Sequence, residues 1–172
     1  MKRDGVMRSL LSTLAALLLI VGSVSAQNAT VAFGASDYDA SQPLEITSDE
    51  LSIDQSTGRA VFLGNVVAGQ GEMRLSAGQV QVQYQVENGQ ATGQIDQLIA
   101  SDGVTLVNGT EQAEAREATY IVQSSQIIMT GDVILTQGPN ALSSQKLTVD
   151  LISGTGRMEG RVKTIFQSGG NQ

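Results

Sequence analysis

The chain has 172 residues, a formal charge of −7, no Cys, no His, no Trp and an aromatic share of only 3%. The missing His and Cys exclude histidine-based triads, thiol nucleophiles and the common zinc sites, so no metal and no cofactor is expected and what is left is carboxylate chemistry, or none. The acidic balance argues against a nucleic-acid partner, which would demand a basic face for phosphate, and equally against loose adsorption to anionic lipid.

Residues 1–26 read as a cleavable secretory signal. Lys2, Arg3 and Arg8 give a positive start, Leu10 to Val21 is an apolar run broken only by Ser12 and Thr13, and "VSA" at Val24 to Ala26 supplies small residues for cleavage. The run is about 12 residues, short of the roughly 20 that a spanning helix needs. A retained membrane anchor is the alternative. Cleavage would leave 7 basic residues (10 less three) against 16 acidic ones (17 less one), a formal charge of −9 on a chain starting near Gln27. An exported chain without a disulfide must be held by burial and backbone pairing, and a bacterial periplasm is its natural compartment. Residues 27–41 read as a flexible lead-in, 42–166 as one β domain and 167–172, "QSGGNQ" with Phe166 before it, as a flexible tail.

The domain is repetitive. "GNVVAGQGEMRLSAGQVQVQY" (Gly64 to Tyr84), "DGVTLVNGTEQAEAREATYIV" (Asp102 to Val122) and "GDVILTQGPNALSSQKLTVDL" (Gly131 to Leu151) superpose. Val66, Val104 and Val133 are the anchors, each with a Gly five residues on: Gly71, Gly109 and Gly138. Nine and eleven after each anchor come Leu75 and Ala77, Ala113 and Ala115, Leu142 and Ser144. The copies then give Val80, Val82 and Tyr84; Ala118, Tyr120 and Val122; Leu147, Val149 and Leu151. Part-copies flank them, "SDELSID" (Ser48 to Asp54) in front and "RMEGRV" (Arg157 to Val162) behind. The middle unit is lengthened within "VENGQATGQID" (Val86 to Asp96), where Asn88-Gly89 predicts a long hairpin with a two-residue turn.

Apolar residues step by two within each unit, which is strand spacing. The phase slips by one residue at the same place in every copy, between the pair ending at Ala77 and the run starting at Val80 in the first. Such a slip would turn the second run outward unless the backbone bends there, so each unit predicts strand, Gly turn, strand, corner, strand. "TEQAEAREA" (Thr110 to Ala118) has helix-forming composition, but its aligned copies carry Gly and Pro, which predicts strand here too. With so few aromatics, strands rich in Val, Ile, Leu, Ala and Met could line a narrow apolar channel or pack as an ordinary closed core; periodicity leaves both open.

"QPLEITSDELSID" (Gln42 to Asp54), followed by "AVFLGNVVAGQGEMRLSAGQVQV" (Ala60 to Val82), resembles the OstA-like family, whose members move lipopolysaccharide across the Gram-negative periplasm. The likeness runs from about Gln42 to Phe166 and is closest to a small soluble bridging member. It implies an all-β jellyroll of stacked V-shaped antiparallel turns with an open apolar groove for the acyl chains of lipid A. It also implies an inner-membrane-anchored LptC-like partner, an outer-membrane LptD-like translocon and head-to-tail homo-oligomers. By the same likeness Leu44 and Ile46, just after the Pro, and Tyr120, Val122 and Val104 match binding positions. The other inward strand positions complete the expected lipid-binding groove: Ile53, Phe62, Val66, Val82, Leu106, Val133, Leu135 and Val149. A groove of this kind is expected to stay unfilled until fatty tails enter it.

Four further readings follow from the sequence. Arg74 and Arg116 fall near corners, where a guanidinium could reach a lipid phosphate or stay solvated. A β-helical polysaccharide-acting enzyme is a competing reading, with Asp49, Glu50 and Asp54 as its carboxylates, although no catalytic residue is nominated. A membrane-anchored inner-membrane component of the same pathway is the other rival, and a ligand-free β-solenoid polymer a third.

Overall fold

The computed structural model describes residues 28–34, 38–54 and 56–166; the signal expected over residues 1–26 and the tail over 167–172 lie outside the described residues. Every regular element described is a strand. In chain order these are β1 (Ala29–Ala32), β2 (Glu45–Thr47), β3 (Glu50–Asp54), β4 (Arg59–Gln70), β5 (Met73–Glu87), β6 (Gln90–Ser101), β7 (Val104–Asn108), β8 (Glu111–Ala115), β9 (Glu117–Ile121), β10 (Gln126–Gln137), β11 (Asn140–Asp150), β12 (Thr155–Glu159) and β13 (Lys163–Ile165). All pair antiparallel.

Four long strands are bent, and their halves belong to two different arms. The first halves of β4 and β10 and the second halves of β5 and β11 join β3, β6, β9 and β12 in arm one. The opposite halves join β2, β7, β8 and β13 in arm two. The strands thus stack as V-shaped turns, the architecture of a β-jellyroll.

The corners fall where the repeat slips phase. Pairing of β4 with β5 jumps between Leu63 and Val66, and that of β10 with β11 between Thr130 and Val133. The skipped residues, Gly64 and Asn65, Gly131 and Asp132, have positive φ, as do Asp102-Gly103 and Gly160-Arg161 at the same point of their units. Gly, Asn and Asp tolerate this left-handed conformation better than other residues, and two such residues in succession turn the chain sharply. On the intervening strands a single residue, Gly78, Arg116 or Gln145, sits between the two alternating runs. Corners are stitched to one another by backbone bonds: Asp49 N–H donates to Gly64 O at 3.0 Å, Arg116 N–H to Gly131 O at 3.0 Å and Gln145 N–H to Gly160 O at 3.0 Å.

The segment with helix-forming composition is strand, β8 and β9, because its register is dictated by neighbours on both sides: Ala113 lies between Leu106 and Leu135, and Ala118 between Ala100 and Met129. The lengthened hairpin is β5–β6, turning at Asn88 (φ 51°) and Gly89 (φ 80°). Because β9 pairs β6 only from Gln97 to Ala100, the rest of this hairpin runs on past its neighbour.

Within the stretch expected as a flexible lead-in, residues 28–34 are placed against the sheet: β1 pairs along β12 at the far edge of arm one (Ala29 opposite Met158, Val31 opposite Gly156) and Phe33 is completely buried. The segment has no copy in the repeat, so its pairing was invisible to period matching.

The alternation makes a direct prediction. Leu135→Ala should cost about 2–5 kcal/mol in urea unfolding, the range for emptying a fully buried Leu site, whereas its outward neighbour Ile134→Ala should stay within about 1 kcal/mol.

Candidate functional site

Cross-strand register stacks the inward side chains of arm one into two ladders. One runs Ile53, Ala60, Val82, Leu98, Tyr120, Ile127, Val149, Gly156, Val31; the other Leu51, Phe62, Val80, Ala100, Ala118, Met129, Leu147, Met158, Ala29. Arm two faces them with Ile46, Ala68, Leu75, Leu106, Ala113, Leu135 and Leu142. Directly opposed residues share a face and touch their neighbours above and below, so the lining is continuous from end to end.

All but one of the expected groove residues meet here. Val66, Val82, Val104, Leu106, Tyr120, Val133, Leu135 and Val149 lie in one buried cluster, with Leu44, Ile46, Phe62 and Val122 packed against it. Ile53 is 63% exposed. It continues the first ladder beyond Ala60, but β3 is the last strand of arm one and, among the described strands, none pairs on its outer side. With Leu51, 52% exposed, it leaves that end of the lining open to solvent.

The interior is not an unfilled trough. Leu106, Val133, Leu135 and Val149 are completely buried against the facing arm, and the cavity remaining between Leu44, Leu75, Leu98 and Tyr120 holds only about 20 Å³. Strand periodicity tells which side chains point inward, but the gap between the arms depends on their opening angle and on what crosses the mouth of the V.

What crosses it was missed by sequence reasoning. Phe33 lies with its N–H donating to Gly154 O at 2.9 Å, at an arm-one tip, while the Gln137 side chain at an arm-two tip donates to Ala32 O at 2.6 Å. Farther along the same segment, Tyr38 meets the Tyr120 hydroxyl of arm one and donates to Gln70 Oε1 of arm two at 3.0 Å. Gln70 in turn donates to Gln42 O at 2.9 Å and Ala40 O at 3.3 Å, so this nearly buried amide has partners at both ends. Desolvation, reinforced by the bond with Tyr38, pushes the Tyr120 pKa upward, so its hydroxyl stays protonated and available as donor. The available signal was modest: Phe33 and Tyr38 are two of only six aromatic residues, placed in a stretch without any other core-forming pattern.

The carboxylates do not converge. Asp49 accepts a bond from Asn65 Nδ2 at 2.8 Å and supports a corner. Asp54 caps the turn after β3, accepting from the Ser56 hydroxyl at 2.6 Å and the Ser56 N–H at 2.9 Å, and these bonds with those from Thr57 hold its pKa at about 2. A general acid for glycoside cleavage needs the opposite shift. Among the described residues no group of three or more acidic side chains could hold a metal. Arg116 is at a corner and pairs with Asp132. Arg74 is not: it lies at an arm-two tip, donating to Gly71 O and Met73 O, because the residue opposite it is Gly69, four places past the corner.

A V-shaped antiparallel jellyroll whose two arms face each other through apolar ladders is therefore the class of molecule defined by fold and site. Residues 45–155 match the family described as LptA/(LptD N-terminal domain) LPS transport protein, and the chain belongs to that family. An uncharacterised protein of Rhizobium meliloti (strain 1021) is 32% identical over 129 residues, 71% of this chain and 69% of that protein. Among solved structures the chain is similar to LptH, the LptA homologous periplasmic component of the conserved lipopolysaccharide transport device from Pseudomonas aeruginosa. The TM-score is 0.65 at 17% identity, covering 76% of this chain and 99% of that one, which shows a shared fold.

The capping role of Asp54 has a pH signature. Its folded pKa is depressed, so its contribution is present above the ordinary value of 3.8 and is lost as pH falls through about 2. Carboxyl NMR titration of the folded protein should place the Asp54 midpoint near 2; a midpoint above 4 would contradict the capping geometry.

Proposed function

We propose that the protein is a periplasmic carrier of lipopolysaccharide that takes the acyl chains of lipid A between its two arms and bridges an inner-membrane LptC-like component to an outer-membrane LptD-like translocon. The observation that carries this reading is the unbroken pair of apolar ladders in a member of a lipopolysaccharide transport family. Most rungs offer small or branched side chains, with Phe62, Tyr120, Met129 and Met158 the larger ones. A fatty tail entering such a lining gains roughly 0.8 kcal/mol per buried CH₂, more over several chains than a few exposed ion pairs could supply. With no deep well along the way, a tail can move on.

The acidic balance fits this division of labour. Headgroup phosphates are repelled rather than held by a net charge of −7, so they stay in solvent while burial of the tails supplies the attraction. Arg116, engaged with Asp132, offers little to a phosphate. Leu51 and Ile53 at one end, Ile165 and Phe166 at the other, are exposed apolar side chains on terminal rungs, which supports end-to-end contact with a similar molecule. Residues Leu44, Ile46, Tyr120 and Val122 line the mouth side of the interior and are the proposed first contacts for a tail.

Photo-crosslinking amino acids placed at Ile46 and Tyr120, with Glu87 on the β5–β6 hairpin as control, test the assignment in living cells. Lipopolysaccharide adducts are expected at the first two and not at the third. Adducts at Glu87 alone would end the proposal.

A further inference from the structure

We infer that residues 28–34 together with Tyr38 form a displaceable plug, Phe33 and Tyr38 occupying the space that acyl chains must enter, so that loading requires these residues to leave the mouth of the V. This inference rests on the lipid-carrier reading for the identity of the cargo, but its geometry stands apart from it.

Three observations carry it. First, the backbone around Ala32–Gly34 touches the tips of both arms at once, Gly154 on one side and Gln137 on the other, and Tyr38 repeats the bridge between Tyr120 and Gln70. Ala32, Phe33 and Tyr38 thus lie across the opening rather than beside it. Second, the plug is chemically a substitute for cargo: Phe33 is completely buried, and Val31 extends an arm-one ladder. Two glycines make the fit possible. A Cβ on Gly156 would come within 3.0 Å of Val31 Cγ2, and one on Gly34, whose φ is +77°, would run into the Asn108 side chain. Third, its attachment is slight. Among the described strands β1 pairs with β12 alone, through four residue pairs at the edge of the sheet, and Tyr38 is held by two side-chain bonds, to the Tyr120 hydroxyl and to Gln70 Oε1. An edge strand of four residues is the kind of element that opens without unfolding the rest.

The need for such a device is physical. Apolar ladders left open to water would form a large exposed patch that invites aggregation, whereas a plug covers them until a tail competes for the same space. Apparent affinity is then reduced by the fraction of molecules in which the plug is out. Because β1 also occupies the last edge of arm one, the same displacement that opens the interior uncovers the β12 edge.

A reversible lock tests this. Thr30 and Arg157 are opposed across β1 and β12, both are exposed, and the chain has no cysteine to compete. Thr30→Cys/Arg157→Cys, oxidised or reduced, should be titrated with fluorophore-labelled lipid A in detergent micelles, alongside Phe33→Ala and Gly34→Val. The oxidised form should bind at least tenfold more weakly than the same protein reduced, and Phe33→Ala and Gly34→Val should each bind at least threefold more tightly than wild type. Equal lipid A binding by the oxidised and reduced forms would overturn the plug while leaving the carrier reading intact. Uptake of 8-anilinonaphthalene-1-sulfonate separates the two ideas. If no variant binds lipid A but the reduced form and Phe33→Ala take up more dye than the oxidised form, the plug stands and the cargo assignment falls. If neither probe distinguishes oxidised from reduced, the plug is wrong.

Discussion

Everything in this molecule depends on keeping one face of a bent strand inward on both sides of the bend. Side chains alternate with a period of two, so an uncorrected slip of one residue would present the polar face of every second half-strand to the interior. The corners absorb that slip. Left-handed pairs at Gly64-Asn65, Asp102-Gly103, Gly131-Asp132 and Gly160-Arg161 turn the chain while restoring inward registry, so Val66, Val104 and Val133 resume the lining one residue beyond. The close approach of Gly131 to Arg116 and of Gly78 to Asp102 shows how little room the corner leaves for side chains.

From that constraint follows an interior of nearly constant section. Phe33 and Tyr120 are the buried aromatics among the described residues, and the rest of the core is filled by Val, Leu, Ile, Met and Ala. On the proposed function, such a core exchanges its own contacts for those of a fatty tail, since both are apolar and both pack by dispersion. Among the described residues three polar side chains are buried: Gln70, in the cluster with Tyr38 and Tyr120 at the mouth, Ser125, and Ser144 beside the corner, whose hydroxyl donates to Lys146 O at 3.0 Å.

Much of the fold was legible because the sequence states it three times. Period-two spacing identified the strands, the shared phase slip located the corners, and Asn88-Gly89 marked the long hairpin; the copies also overruled the helical composition around Glu111 to Glu117. The inward residues were legible for the same reason, and twelve of thirteen expected positions lie in or against the core cluster. Ile53 differs because an end strand has the lining's orientation without a neighbour to cover it. The state of the interior was not legible, since it depends on the distance between two arms and on contacts such as Tyr38 with Tyr120, 82 residues apart. Arg74 was misplaced by the same blindness: its distance from the corner follows from pairing with Gly69, which spacing within one strand does not reveal.

The central claim is that the ladder side chains themselves, and not the outer surface, receive the cargo. Methyl NMR of the isotope-labelled protein titrated with lipid A in detergent tests it residue by residue, against a detergent-only control. Leu98, Ile127 and Val149, inward on arm one, should shift in proportion to bound lipid, while the outward methyls of Ile134 and Ile152 stay where detergent alone puts them. Shifts confined to Ile134 and Ile152, with the three ladder residues unmoved at saturating lipid, would contradict the account.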